Sequence, residues 1–219
     1  KGAGGLVNAL LRRFTREGEP ADWPADPAEQ LSARYSYPLW IARRWMSNFS
    51  QETAESIMRA GNEKHPAFIR VNLLKTDSEK LCDFLMARGC PASIIGELPG
   101  FLSLASAEGL FETNEFRRGL FTVQDPSAAI AAFLLDPRPG ETVLDLCAAP
   151  GGKATHLAEL MGGAGRVTAV DIHPQRLQMV REAASRLDFS MIDAREGDAC
   201  SFDSGELYDG ILIDVPCMG

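Results

Sequence analysis

The chain has 219 residues, 45% of them hydrophobic and 24% charged, the composition of an ordinary globular protein with material for one large core or two small ones. No apolar run approaches the ~20 residues that span a bilayer and no basic-then-apolar signal segment opens the chain, so a cytoplasmic location with no membrane partner is expected. The formal net charge of −8 is unevenly spread: residues 1–140 carry 16 basic and 17 acidic side chains, residues 141–219 carry 6 and 13.

A nucleic-acid surface is therefore expected only on the first part, where Arg12, Arg13 and Arg16, the pair Arg43 and Arg44, Arg70 with Lys75, and the pair Arg117 and Arg118 are candidates. Paired arginines are often no more than solvated helix faces. The five cysteines, Cys82, Cys90, Cys147, Cys200 and Cys217, have neither a C-x-x-C pair nor a histidine clamp. That argues for reduced thiols, with no disulfide framework and no metal site. His65, His156 and His173 read as solvated or capping residues.

In chain order, Leu6, Val7, Leu10, Leu11 and Phe14 repeat at helical spacing and predict an amphipathic packing helix. Residues 18–27, rich in Pro and Asp, read as a linker. Helices are predicted over 28–34, 38–46 and 51–61, with Trp40 and Trp45 expected in the core. From His65 the pattern changes to a small α+β unit: a strand over 67–72, a helix over 77–88 stopped by Gly89, and short strands over 90–95, 102–104 and 120–123. Asp125 or Ser127 is placed to cap the next helix, which ends at Leu135, with Pro126 in its first turn.

Residues 141–171, ETVLDLCAAPGGKATHLAELMGGAGRVTAVD, organise the chain around them. Residues 142–146 form an apolar run suited to a strand buried on both faces. A turn of small residues over 147–153 lets the backbone approach a ligand, and the helix after it presents its N-terminus to a negative group. A second strand ends at Asp171, 19 residues after Gly152, the spacing at which a carboxylate accepts hydrogen bonds from ribose hydroxyls. Neither G-x-G-x-x-G nor a phosphate loop is present. A ribose with no pyrophosphate makes S-adenosylmethionine the best-fitting nucleoside cofactor.

A helix over 174–187, a weak third strand over 189–192 and a fourth over 208–214 complete a parallel sheet whose carboxyl edge is where such folds bind ligands. Asp198, after the third strand, is placed for an adenine amino group. Asp214 and Cys217 stand three residues apart at the mouth of this cleft. Such a pair suits methylation of a pyrimidine carbon: thiolate addition at cytosine C6 makes C5 nucleophilic, and a carboxylate on the N3 and amino edge stabilises the adduct.

The motifs LDLCAAPGGKATHLAE, AVDIHPQRLQ, EGDAC and ILIDVPC, in this order and with FTVQDPSA upstream of them, resemble the Sun (Fmu) family of RNA cytosine-5 methyltransferases from about Arg70 to Gly219. GLVNALLRRF resembles the last helix of the NusB-like RNA-binding domain that precedes the family's bacterial small-subunit rRNA enzyme. The resemblance implies a Rossmann-like methyltransferase sheet over 121–219, a helical and α+β RNA-binding subdomain over 28–120, and the end of a NusB-like domain with its linker over 1–27. It implies that Cys147, Ala148, Ala149, Pro150, Gly151, Gly152 and Lys153 wrap the cofactor, with Asp171 on its ribose, Asp198 on its adenine, Arg176 among the cofactor-binding positions, and Asp214 beside both cofactor and base.

It also revises the chemistry, because the family's attacking cysteine lies in a later fifth-strand motif and Cys217 assists product release. That motif and three further strands are absent up to Gly219, and Met218 stands where the family has serine. As written, the chain is expected to be a truncated enzyme, with impaired cofactor binding, no turnover and an exposed fourth strand. The expected activity is methylation of cytosine C5 in 16S rRNA, unassembled or partly assembled. The alternatives are a non-catalytic RNA-binding or assembly module and a DNA cytosine methyltransferase that uses Cys217 as nucleophile.

Overall fold

The computed structural model describes residues 3–18, 23–63 and 65–216. The chain divides into two compact units, Lys1–His65 and Pro66–Gly219.

The first unit is helical: α1 (Ala3–Glu17), α2 (Pro27–Tyr35), α3 (Leu39–Asn48) and α4 (Gln51–Asn62). Asp26 caps α2 through the amide of Ala28, and Ser50 caps α4 through that of Thr53, each satisfying a donor that the first turn cannot bond internally. Ala28, Leu31, Ala42 and Met58 form a small core on which Tyr37 and Trp45 pack, ring centroids 5.3 Å apart. Two expectations fail here. Trp40 is 56% exposed on the outer face of α3, and α1 turns Leu6, Val7, Leu10, Leu11 and Phe14 outward instead of packing them.

The second unit holds two four-stranded sheets. The antiparallel one runs in spatial order β2 (Ala92–Ile94), β3 (Phe101–Leu104), β1 (Ala67–Val71), β4 (Phe121–Val123), with α5 (Ser78–Ala87) packed on β2 and β3. Ile69, Val71, Leu81, Leu85, Leu102, Leu104 and Phe121 are its core. A 3-10 turn at Leu110–Glu112 and the short helix α6 (Asn114–Arg117), capped by Thr113, lie before β4, in a stretch too short for helical periodicity to show.

The other sheet is parallel, in spatial order β7 (Ile192–Glu196), β6 (Arg166–Asp171), β5 (Thr142–Leu146), β8 (Gly210–Ile213). It is flanked by α7 (Pro126–Leu135), α8 (Gly152–Leu160) and α9 (Pro174–Leu187). The third strand is displaced from its expected place: Phe189, 3% exposed, fills the core below the sheet and pairing begins at Ile192. The apolar residues read as a strand are the plug that follows α9. Among the described residues β8 pairs only with β5 and is an edge, with Ile211 and Ile213 exposed.

The two sheets are joined by polar contacts. Arg70, projecting from β1, is fully buried and donates to Glu159 Oε2 (3.1 Å), Thr155 Oγ1 (3.1 Å), the Gly152 carbonyl (3.0 Å) and Gln124 Oε1. Asn72 bonds the carbonyls of Gly119 and Leu187, both at 3.1 Å. Gly119 (φ +70°) lies so close to α9 that a Cβ there would sit 2.0 Å from the Arg186 carbonyl oxygen, which leaves glycine as the residue that fits. Arg70 is thus a structural tie and no part of a nucleic-acid surface, contrary to the expectation from its sequence neighbours.

Candidate functional site

The strand β5 ends at Leu146, and the chain turns at once through Cys147 (φ +77°) and Gly151 (φ +106°) into α8. The turn is held from below: the amides of Cys147 and Ala148 both donate to the Val170 carbonyl at 2.8 Å, and Gly151 donates to the Ala148 carbonyl. Gly151 packs on α9, where a Cβ would meet Val180 Cα at 3.1 Å, whereas a Cβ on Gly152 would meet no atom within 4 Å. The first residue of α8 therefore faces open space. Among the described residues no side chain caps this helix, so its first amides stand ready for an anionic or polar ligand.

A cavity of about 220 Å³ opens at this turn. Six residues of the predicted turn line it, Cys147, Ala148, Ala149, Pro150, Gly152 and Lys153, together with Asp214 from the end of β8. Lys153 and Asp214 form an ion pair at its mouth. Gly151, Asp171, Arg176 and Asp198 lie outside this cavity's wall. Asp171 is buried and accepts from the amides of Ala149 (3.3 Å) and His173 (2.9 Å). Arg176 spends one N–H on the Ala149 carbonyl at 2.9 Å, with Asp171 at 3.8 Å, and so braces the turn. Asp198 is exposed on the loop after β7, and Gly197 beside it donates to the Asp171 carbonyl at 3.2 Å. Cys217 lies outside the described residues.

The cavity also brings in residues that the motifs do not mark. Asp145, in the middle of the apolar run of β5, is 0% exposed, and neither of its carboxylate oxygens has a hydrogen-bond partner among the described residues. Burial pushes this carboxyl up to about 7 against the pull of Lys153, with Asp214 and Asp171 adding to the rise. Gln124, which lines the same cavity, is held by Arg70 through Oε1, and its buried Nε2 has no partner among the described residues. An orphaned acceptor and an orphaned donor thus face the same space, a costly arrangement unless a ligand supplies both complements. One sign of it stands in the sequence: a carboxylate among the apolar residues Val143, Leu144 and Leu146 of β5.

The remaining expected residues fall into place by burial. Asp125 caps α7 through the Ser127 amide at 2.8 Å. His65 and His173 are exposed. His156 is not: it is 2% exposed, edge-on to Phe133 at 4.8 Å and Phe101 at 5.9 Å, and burial, helped by Arg70, pushes it down to about 3. It is a neutral core residue. Burial likewise raises the Cys147 thiol, with nearby carboxylates adding to the rise, so it is no ready nucleophile. Lys75, also expected as a nucleic-acid contact, is largely tied down by Asp188 at 2.6 Å and by the Arg118 carbonyl at 2.7 Å. Among the described residues no helix is long and apolar enough to cross a membrane.

A parallel sheet whose central strand feeds a glycine turn and an uncapped helix, with a buried aspartate closing the next strand, defines the Rossmann-like fold of S-adenosylmethionine-dependent methyltransferases. The solved structures agree. The crystal structure of PH0851 superposes with a TM-score of 0.81 at 32% identity over 91% of this chain and 46% of that one. A methyltransferase homolog protein from Pyrococcus horikoshii gives 0.76 at 31% identity over 90% and 65%.

Two family models match in order: a ferredoxin-like domain of the RsmF/B-like methyltransferases over 37–109, and 16S rRNA methyltransferase RsmB/F over 132–219. The chain thus matches the models of the RsmB/F methyltransferases over both of these stretches, and its motifs resemble those of the Sun (Fmu) grouping. It is 38% identical over 224 residues to the probable ribosomal RNA small subunit methyltransferase B of Bacillus subtilis, covering 100% of this chain and 50% of that protein. The chain spans about half the length of the curated relatives it matches.

Proposed function

We propose that this chain belongs to an enzyme that methylates C5 of a cytosine in 16S rRNA, unassembled or partly assembled, in the bacterial cytoplasm, with S-adenosylmethionine as methyl donor. The observation that carries the reading is the pair of orphaned groups at the glycine turn. Among the described residues Asp145 lacks a donor and Gln124 Nε2 lacks an acceptor, beside the uncapped N-terminus of α8. An α-amino acid zwitterion supplies both: its ammonium meets Asp145, and its carboxylate meets Gln124 and the helix N-terminus. Asp171, on the far side of the turn, has lone pairs left for ribose hydroxyls, and Asp198 follows it toward the adenine. The smooth wall of Cys147, Ala148, Ala149, Pro150, Gly151 and Gly152 lets a ligand lie against backbone, and Arg176 keeps that wall in shape.

The bound cofactor supplies an electrophilic methyl group. The chain's own part at the base is to orient it. Lys153 holds Asp214 at the cleft mouth, where the carboxylate accepts from the cytosine amino edge and excludes bases that lack that donor. Cys217 is assigned to product release, with the attacking thiolate on a cysteine beyond Gly219. In this reading residues 1–27 close a NusB-like domain and its linker, 28–120 serve RNA binding, and 121–219 carry the cofactor domain.

The test is calorimetric titration of the full-length protein, with the residues that follow Gly219 in place, against S-adenosylmethionine, followed by transfer of a labelled methyl group to a 16S rRNA transcript and nucleoside analysis. Micromolar binding and labelled 5-methylcytidine are expected, with no label in a DNA duplex of the same sequence. Label on DNA alone overturns the RNA assignment. RNA and cofactor binding with no transfer makes the chain a binding module.

A further inference from the structure

We propose that the groove between α6, the residues 118–120 that follow it and the outer face of α9 is a track for the phosphate backbone of the RNA substrate, an inference that rests on the proposed RNA methylation. The groove is an open hollow of about 990 Å³ lined by Lys75, Arg117 and Arg118 from the antiparallel-sheet side and by Arg181 and Arg186 from α9. Two acids share it, Glu182 and Asp188, and Asp188 is already paired with Lys75 at 2.6 Å. A net positive hollow in a chain of net charge −8, whose residues 141–219 are its most acidic part, is not the average of its surroundings.

The five cations divide by what holds them. Arg186 donates to the carbonyls of Phe116 (2.9 Å) and Phe121 (2.8 Å) and to Thr122 Oγ1 (3.2 Å), and lies 3.8 Å from the Phe116 ring centre. Lys75 donates to the Arg118 carbonyl. These two are fixed floor. Arg117 and Arg118 are exposed, and neither guanidinium has a hydrogen-bond or ion-pair partner among the described residues; Arg181, also exposed, spends one N–H on the Ala194 carbonyl at 2.9 Å.

Free guanidinium groups gathered on rigid walls repel one another, and a polyanion relieves that repulsion. A phosphodiester chain presents one charge per nucleotide and accepts bidentate N–H pairs from arginine. The walls are rigid because Gly119 and Asn72 lock the antiparallel sheet to α9. The groove also leads to the cofactor turn: Glu182 and Arg186 line a second hollow whose far wall is Pro150, Gly151 and Gly152. A strand held in the groove is thereby anchored on the body that carries the methyl-transfer cleft, and the phosphates set position while the cleft reads the base.

The experiment measures binding of a labelled 16S rRNA fragment by fluorescence anisotropy across a series of salt concentrations. It compares the wild type, the triple variant R117Q/R118Q/R181Q, and the charge-matched R88Q/R138Q/R195Q, whose arginines lie on other surfaces. The groove variant is expected to bind about 10-fold or more weakly at ~0.1 M salt, with the slope of log affinity against log salt shallower by about 2 for three lost phosphate contacts. The control variant keeps the wild-type affinity and slope, and both variants keep the wild-type affinity for S-adenosylmethionine. Unchanged RNA affinity in the groove variant, or an equal loss in the control, overturns the groove and leaves the RNA reading standing. A wild-type protein that binds cofactor but no RNA overturns the RNA reading and the groove with it.

Discussion

Two buried charged groups near α8 are treated in opposite ways. Arg70, at the joint between the sheets, has its guanidinium bonded to Glu159, Thr155, Gln124 and the Gly152 carbonyl. Asp145, at the floor of the cleft, is as deeply buried and has no donor among the described residues. Burial opposes the charge at both: it lowers the Arg70 guanidinium and raises the Asp145 carboxyl. A buried charge whose bonds are complete is spent on holding the fold together. One whose bonds are open is kept for something that arrives later. Gln124 belongs to both regions, with its oxygen given to the joint and its nitrogen left to the cleft.

The largest effect is expected from breaking the joint. Arg70→Met leaves Glu159 buried without its cation, and losing one partner of a buried pair costs about 3–5 kcal/mol. Thermal unfolding should register this, and adding Glu159→Leu should recover most of it, because the second change removes the stranded carboxylate. If R70M unfolds at the wild-type temperature, Arg70 is no tie and the contrast with Asp145 collapses.

Asp145→Asn is expected to act with the opposite sign. The folded-state value of about 7 lies above the ordinary carboxylate range, so the folded protein holds a proton that the unfolded chain has lost between about pH 4 and pH 7. Asp145 therefore supports the fold fully below about pH 4, and its support is lost as pH rises through 7. The asparagine variant lacks this dependence and should be more stable than wild type at pH 8, by at most about 4 kcal/mol for a shift of about three units. Its affinity for S-adenosylmethionine should fall at least about 10-fold, the worth of one charged hydrogen bond. A variant that gains no stability at pH 8, measured by denaturant titration at pH 4 and pH 8, shows that Asp145 is already satisfied.

The same contrast explains what can be read from the chain. The turn at 147–153 and the aspartate that ends β6 are legible as structure because local backbone needs dictate them: a turn needs glycine, and the Asp171 carboxylate at the strand tip accepts from the amides of Ala149 and His173. The cap of α7 is legible for the same local reason. Arg70 reads wrongly as surface because its partners lie 54 to 89 positions away, and no nearby pattern marks an arginine as buried. His156 misleads likewise, since its neighbours Phe101 and Phe133 come from a different sheet and a different helix. Phe189 to Ile192 misleads in the other direction: a core plug and a strand draw on the same residue types, and only the pairing of Val167 with Ile192 separates them.

The smallest effect on stability is the most discriminating. Gly152→Ala adds a methyl group where none of the described residues has an atom within 4 Å, at the first position of α8, and alanine there strengthens the helix by at most about 1 kcal/mol. Gly119→Ala adds the same methyl group at the joint, 2.0 Å from the Arg186 carbonyl oxygen, and must displace backbone. G152A should thus melt at or slightly above the wild-type temperature while its affinity for S-adenosylmethionine falls about 10-fold, because the space it fills is the ligand's. G119A should melt well below it. Titration and melting of both variants separate the two kinds of glycine. If G152A binds the cofactor as wild type does, that open space belongs to solvent, and the cleft must lie against the other face of the turn, toward Asp171 and Asp198.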